Sequence, residues 1–179
     1  MLESVTRMKL IEFNLDRDFD VIKNWVTDER THAMWCANYF QYPLEKEDFA
    51  NVRAAKKAQY GDTAYIAALD DDKPVGFFCY SKDDETNRGM LKFVVVDPEY
   101  RGKGVAGEML QLIAKHSFEK TGAKSLWLCV FPENERAKRC YLKAGFKESG
   151  TTENAFTYKD ESWSRCNMVL KNEYYTRVQ

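Results

Sequence analysis

The chain has 179 residues, 31% of them charged and 14% aromatic, and 27 basic side chains nearly balance 28 acidic ones for a net charge of −1. That length suits one domain, residues 1–179, with a core large enough to need no covalent staple. The charge balance argues against a nucleic-acid partner or an acidic membrane surface, whose binders carry a basic footprint, and no apolar run is long enough to span a bilayer.

In chain order, the opening MLESVTRMKL lacks the apolar stretch of a secretory signal. MKLIEF (8–13) alternates and predicts a first strand. Phe19, Ile22, Val26 and Trp25 share a helical face, and a second helix is expected over Glu45–Tyr60 with Phe49, Val52 and Ala55 inward. TAYIAALDDDKPVGFFCYS reads as two strands around a polar, proline-bearing turn. RGMLKFVVV (88–96) is a long strand whose last four residues are continuously apolar, the pattern of burial on both faces. Gly104–Lys120 is the clearest helix, with Val105, Met109, Leu112, Ile113 and His116 on one stripe. SLWLCVF (125–131) is another strand. Asn134–Lys143 is a short helix stopped at Gly145, and FKESG and RCNMVLK can close the sheet. The order predicts a mixed α/β (α+β) architecture. Cys36, Cys79, Cys129, Cys140 and Cys166 form no C-x-x-C pair, so no metal site is suggested. They are expected as reduced thiols, several buried, in the cytoplasm.

The stretch VVVDPEYRGKGVAGEML (94–110) carries the chemistry. Gly102–Gly107 matches G-x-G-x-x-G, but a dinucleotide-binding fingerprint sits directly where a first strand turns into a helix, with an acidic residue about 20 positions on. Here DPEYR intervenes, and the next strand ends on no acid. A Walker A loop, GxxxxGK[ST], is absent. What survives is physical: glycines let successive N–H groups face one point, and the following helix adds unpaired N–H groups and its dipole. Such a turn can seat an anion such as a pyrophosphate, with Arg101 and Lys103 at its rim. An ordinary β–α connection with solvated basic residues fits this segment equally well.

A second stretch, NERAKRCYLKAGF (134–146), follows SLWLCVF. Arg101-Gly102-Lys103-Gly104-Val105-Ala106 matches [QR]-x-x-G-x-[GA], and Asn134, Ala137, Tyr141, Gly145 and Phe146 supply an Asn, a short helix, a Tyr and a Gly-Phe pair. With both motifs in order, each after a strand, the sequence resembles the GNAT N-acetyltransferase superfamily over roughly Gly89 to Lys147. A fainter similarity of the N-terminal third and of SWSRCNMVL points toward the ribosomal-protein- and diamine-acetylating branches. The resemblance implies a GNAT-like fold: a central, mostly antiparallel twisted sheet, flanked by helices, with two splayed parallel strands at the cofactor site. It implies acetyl-CoA as cosubstrate, without a metal. Main-chain groups of Phe93, Val94, Val95 and Val96 would pair with the pantetheine arm. The amides of Arg101, Gly102, Lys103, Gly104, Val105 and Ala106 would cradle the pyrophosphate. Asn134 would bond the pantetheine arm, and the helix carrying Ala137 and Lys143 would flank it.

By the same resemblance, Tyr141 is the candidate general acid for the departing sulfur, the other reading being a core tyrosine. The backbone N–H of Val94 or Val95 is the candidate oxyanion donor. Many relatives carry a Glu on one of the splayed strands. Here Met90, Lys92 and Cys129 stand at those seats, so no base is assigned. Glu29, Asp83, Asp84 and Glu153 are carboxylates elsewhere, best read as solvated. Cys129 reads as a buried cysteine rather than a nucleophile, and His116 as a core or half-buried histidine. His32, Trp35, Tyr39, Phe40 and Tyr42, between the two N-terminal helices, either line an acceptor pocket or pack under a long connection. The charged loop DDETNR (83–88) either edges that site or is simply solvated. The acceptor is expected to be a small-molecule amine or a protein N-terminus, and two copies could pair through the edge of the C-terminal strands. A coenzyme A-binding sensor without transfer activity is the alternative that the missing carboxylate raises. A nucleotide-binding protein using the literal G-x-G-x-x-G is a third reading.

Overall fold

The computed structural model describes residues 8–174, so the first seven residues of the opening MLESVTRMKL lie outside the described residues. Strand β1 (Met8–Glu12) leads into helix α1 (Leu15–Ile22), then α2 (Glu29–Cys36) and α3 (Lys46–Tyr60). Strands β2 (Thr63–Leu69), β3 (Pro74–Asp83) and β4 (Arg88–Val96) follow, then α4 (Val105–Lys115), β5 (Ser125–Val130), α5 (Glu135–Lys143), β6 (Lys147–Tyr158) and β7 (Glu161–Lys171). The strands form one seven-stranded sheet in the order β1-β2-β3-β4-β5-β7-β6. Every neighbouring pair is antiparallel except β4 and β5.

Local chemistry sets the element ends. Asn14 and Asp28 each cap a helix, accepting from the N–H of Arg17 and Thr31, a contact that stabilises a helix by roughly 1 kcal/mol. Helix α3 stops at Gly61, in the left-handed region at φ 73°, where glycine carries no Cβ penalty. Both faces of the sheet are covered, so β3 is buried continuously from Val75 to Ser81. Helix α4 packs Met109, Leu110 and Ile113 against one face with Phe78, Tyr80, Leu126 and Met168. Helices α1–α3 and the connection between α2 and α3 cover the other, with Phe19, Ile22, Phe40 and Phe49 against Ile66, Phe77 and Cys79. Each such side chain, fully buried, contributes about 1.5–3 kcal/mol. A third cluster of Ala33, Phe131, Tyr158 and Trp163 joins α2 to the tip of the β6–β7 hairpin. Arg30 fastens this joint, pairing with both carboxylate oxygens of Glu161 and lying 5.1 Å from the Trp163 ring centroid.

Several sequence expectations shift. The first helix ends at Ile22, and Trp25 and Val26 are buried in the segment after it. The stretch read as a connection between two N-terminal helices contains α2. Ala55 is exposed and Val52 half-buried, because the inward stripe of α3 centres on Phe49. Helix α4 is regular only to Lys115, and His116–Lys120 widens into a π turn that leaves His116 half-buried. FKESG and RCNMVLK are parts of two strands of 12 and 11 residues. Of the four apolar residues ending β4, Val95 and Val96 are buried while Phe93 and Val94 are half-buried.

Candidate active site

The half-burial of Phe93 and Val94 follows from the geometry of β4. Its parallel ladder with β5 runs only through Arg88–Ser125, Gly89–Leu126 and Met90–Trp127. Beyond Met90 the strands part, while β5 stays paired with β7 along its whole length. No strand among the described residues pairs with the β5-facing edge of Leu91–Val96, so its main-chain groups are available to a ligand that adds as a strand.

A bulge marks the same place. Phe77 pairs with Val95 and Cys79 with Lys92, so Phe78 faces two residues of β4, Phe93 and Val94. Phe93 takes φ 54°, a left-handed conformation that costs a bulky L-residue about 1–2 kcal/mol. Contacts of its ring with Phe40 at 4.9 Å, and with Tyr39 and Trp35 at 6.2 and 6.4 Å, hold it there. Bulges of this kind re-aim backbone groups beside active sites.

The gap opens into two clefts. The first, about 810 Å³, is lined by Val94, Val95, Val96, Tyr100, Arg101, Gly102, Gly104, Ala106 and Gly107 on one side, and by Asn134, Arg136, Ala137, Cys140, Tyr141 and Lys143 on the other. Gly102 and Gly104 take φ 74° and 80°, and an added Cβ at either would meet nothing within 4 Å. Gly104 caps α4 without a side-chain partner, and the first helical bond is made by Glu108 N–H to the Gly104 carbonyl at 3.1 Å. The preceding N–H groups are the unpaired donors of a helix start. Burial draws the Arg101 guanidinium below its usual range, the like charge of Arg136 adds to that, and Asp97 and Asp28 partly offset it. Neither arginine has an ion-pair partner among the described residues, so this mouth favours an anion.

Of the residues expected there, Val105 turns into the core at 6% exposure, Lys103 lies 5.6 Å from the Tyr100 ring centroid, and Phe93 lines the second cleft instead. Asn134 caps α5, its side-chain oxygen accepting from Ala137 N–H at 3.3 Å. Tyr141 is buried on the inner face of α5, 5.8 Å from the Phe146 ring. Burial raises its phenol well above the ordinary tyrosine range, so it stays protonated.

The second cleft, about 930 Å³, is walled by Tyr39, Lys56, Tyr60, Lys82, Asp83, Asp84, Met90, Lys92, Phe93, Cys129, Phe156 and Arg165. Met34 and Trp35 of α2 line both clefts. Tyr39 and Trp35 of the aromatic segment reach this space. His32 is fully buried, its Nε2 2.8 Å from the Phe40 carbonyl, and Tyr42 donates to the Thr27 carbonyl at 2.9 Å.

Cys129, expected to be buried, is exposed on the strand face turned to this cleft, and its thiol donates to Asn167 at 3.1 Å. Alternation explains it: Leu128 and Val130 take the core face. Partial desolvation nevertheless raises its thiol, which disfavours the thiolate a nucleophile needs. The carboxylates considered as bases are engaged or remote. Glu29 pairs with Lys159 at 3.2 Å, Asp84 with Lys82 at 2.8 Å, and Asp83 accepts from Glu85 N–H at 2.9 Å. Glu153 is exposed on β6. Sequence reasoning missed Asp62, which is buried and holds Lys92 at 2.8 Å from 30 residues away, and it missed Arg136, Lys56 and Arg165. Arg136 sits inside the quoted NERAKR, one residue before Ala137, and so was legible.

The sheet is split along its one parallel pair among the described strands, with a Gly-rich helix start and two arginines at the mouth of one cleft and a second cleft beside it. The sequence profile of the Acetyltransferase (GNAT) family matches residues 19–146, and the chain belongs to that family. An uncharacterized N-acetyltransferase of Mycobacterium tuberculosis is 31% identical over 105 residues, 57% of this chain and 66% of that protein's length. A probable spermine N(1)-acetyltransferase of Bacillus subtilis subsp. natto is 32% identical over 71 residues, 40% of this chain and 47% of that protein. Among solved structures, a spermidine N-acetyltransferase from Vibrio cholerae in complex with CoA and spermine shares the fold at a TM-score of 0.78 and 18% identity, over 94% of this chain and 97% of that one.

Proposed function

We propose that this protein transfers an acetyl group from acetyl-CoA to a primary amine. The observation that carries this reading is the parting of β4 from β5 beyond Met90, directly beside the Gly-rich start of α4 and in front of Tyr141. The residues present fit the cosubstrate: an unpaired strand edge for an amide-bearing arm, helix N–H groups at open glycines for a pyrophosphate, and two guanidiniums without a direct ion pair for its charge. When bound, acetyl-CoA supplies the activated acyl group. Phe93–Val96 bind its arm through main-chain groups, Arg101–Ala106 its pyrophosphate, and Asn134, Ala137 and Lys143 flank it.

The second cleft brings the amine to the same point past Trp35. As the amine nitrogen bonds to the acyl carbon, a backbone N–H at the bulge, of Val94 or Val95, donates to the carbonyl oxygen. The carbon–sulfur bond then breaks, and Tyr141, held protonated by burial, gives its proton to the sulfur. The amine's surplus proton passes to solvent and the phenol is reprotonated, so amine and thioester become amide and thiol. No carboxylate stands on β4 or β5 to take that proton. Lys56 and Arg165, the cations of that cleft without an ion-pair partner among the described residues, lower the amine's own proton affinity instead, since like charges disfavour the ammonium form.

The shared sheet supports reading the described residues as one domain, and the exposed outer edge of β6 leaves room for two copies to pair. No helix among the described residues is long and apolar enough to cross a membrane, and all five cysteines are free. The test is thiol release from acetyl-CoA against a panel of amines, with Tyr141→Phe alongside. That variant is expected to lose roughly 10²–10⁴-fold in kcat while still binding acetyl-CoA. Undiminished kcat would remove the acid role. Binding without release for any amine would make the protein a coenzyme A sensor.

A further inference from the structure

We infer that the acceptor amine also carries an anionic group, a carboxylate or a phosphate, and that polyamines are poor acceptors. This rests on reading the second cleft as the acceptor site. Four cations, Lys56, Lys82, Lys92 and Arg165, line that cleft against two carboxylates, Asp83 and Asp84. The carboxylates are not disposed to receive an ammonium. Asp84 is bound by Lys82 at 2.8 Å with its side chain 91% exposed at the rim. Asp83 folds back on its own turn, accepting from the backbone N–H groups of Glu85 and Thr86 at 2.9 and 3.4 Å. Asp62 lies behind Lys92 rather than in the cleft wall, and its second oxygen is buried without a partner.

The cations divide differently. Lys92 is matched by Asp62 and Lys82 by Asp84, but Lys56 and Arg165 have no ion-pair partner among the described residues. Lys56 is held by aromatic faces instead, its Nζ 3.7 Å from the Tyr39 ring centroid and 5.5 Å from that of Tyr60, with the Lys92 ammonium 4.3 Å from the same Tyr60 ring. Arg165 lines the cleft from β7, close enough for its charge to act on the Cys129 thiol. The cleft therefore offers two cations, Lys56 and Arg165, that no carboxylate among the described residues neutralises. A chain of further ammonium groups meets repulsion there, whereas an anion finds two cationic donors. The surplus charge also favours the neutral amine that must attack, forming the N–C bond before the C–S bond breaks, one proton leaving nitrogen for solvent and one reaching sulfur.

The experiment compares kcat/KM by thiol release, with products identified by mass, for matched pairs: amino acids against their carboxamides, phosphoethanolamine against ethanolamine, and spermidine and spermine beside them. The anionic member of at least one pair is expected to exceed its neutral partner by roughly tenfold or more, the scale of one charge-assisted hydrogen bond, with both polyamines below it. The carboxylate and phosphate arms identify which anion is read. In Lys56→Met/Arg165→Met that preference is expected to collapse toward one, and each single variant carries the same readout should the double fail to fold. Polyamines as the best acceptors, equal rates within every pair, or an unchanged preference in the variants would overturn the inference while leaving acetyl transfer standing. No release with any amine, or no binding of acetyl-CoA by calorimetry, would instead bring down the functional reading and this inference with it.

Discussion

Gly89 occupies the second of the three pairs that hold β4 to β5, and on its other side it pairs with Lys82 of β3. A Cβ there would lie 2.6 Å from Ser117 Oγ and 2.7 Å from Tyr80 Oη, closer than real carbon contacts allow. The groups it would strike are committed. Thr121 donates to the Ser117 carbonyl at 2.6 Å, so the Tyr80 hydroxyl, 2.7 Å from Thr121 Oγ1, donates to it and accepts from Ser117 at 2.8 Å. Gly89→Ala thus adds overpacking, about 1–3 kcal/mol, and disturbs at least one buried hydrogen bond, about 1 kcal/mol. A loss of roughly 2–4 kcal/mol is expected, which lowers Tm by about 5–15 °C for a chain of this size. Urea denaturation of the wild type, Gly89→Ala, Ser117→Ala and the double variant measures it. Removing the Ser117 hydroxyl takes away the nearest obstacle, so the double variant should be more stable than additivity predicts by about 1 kcal/mol. A single-variant loss below about 0.5 kcal/mol, or strict additivity, would refute the reasoning. Because this pair closes the narrow end of the gap, Gly89→Ala should also weaken acetyl-CoA binding.

Two glycines of the α4 start should respond with opposite signs. Gly104→Ala places a Cβ at φ 80° and should cost about 1–2 kcal/mol, whereas Gly107→Ala, inside the helix with open space around it, should gain about 0.5–1 kcal/mol. Thermal melts decide, and equal effects would contradict the backbone geometry. Burial raises the Tyr141 phenol and the active form is the protonated one, so kcat/KM should climb with pH as the amine loses its proton and show no falling limb below about pH 10. A limb centred near neutrality would mean another group supplies the proton. Trp163→Ala removes a ring that is 1% exposed and stacked 5.0 Å from Tyr158. It should cost about 3–5 kcal/mol and speed hydrogen exchange in the β6–β7 hairpin ahead of the rest of the sheet. Uniform acceleration would show that the hairpin is not a separate joint.

The parts legible in the sequence are those with local chemistry. RGMLKFVVV ends in four consecutive apolar residues, and the strand runs over those same nine residues. The Gly-Lys-Gly turn and the Asn-to-Gly-Phe frame signal their backbone needs through residue type. Helix α2 was missed although Asp28, a good cap, precedes it. ERTHAMWC shows no clean apolar stripe, since the helix packs on one side against the aromatic core and on the other against Trp163. Of strand β6 only the start, within FKESG, was legible, because no residue of the strand is buried before Tyr158 and Phe156 is half-buried. The bulge could not be read, as nothing marks a phenylalanine for φ 54°. Nor could Asp62 be matched to Lys92, a pairing made by the fold alone.

The central claim is that the gap between β4 and β5 seats acetyl-CoA, and calorimetric titration with acetyl-CoA, with NAD in parallel, tests it most directly. The account predicts saturable micromolar binding of acetyl-CoA, one per chain, weakened in Gly89→Ala, and no heat with NAD. Binding of NAD with no response to acetyl-CoA would contradict it and return the Gly-rich turn to a nucleotide site.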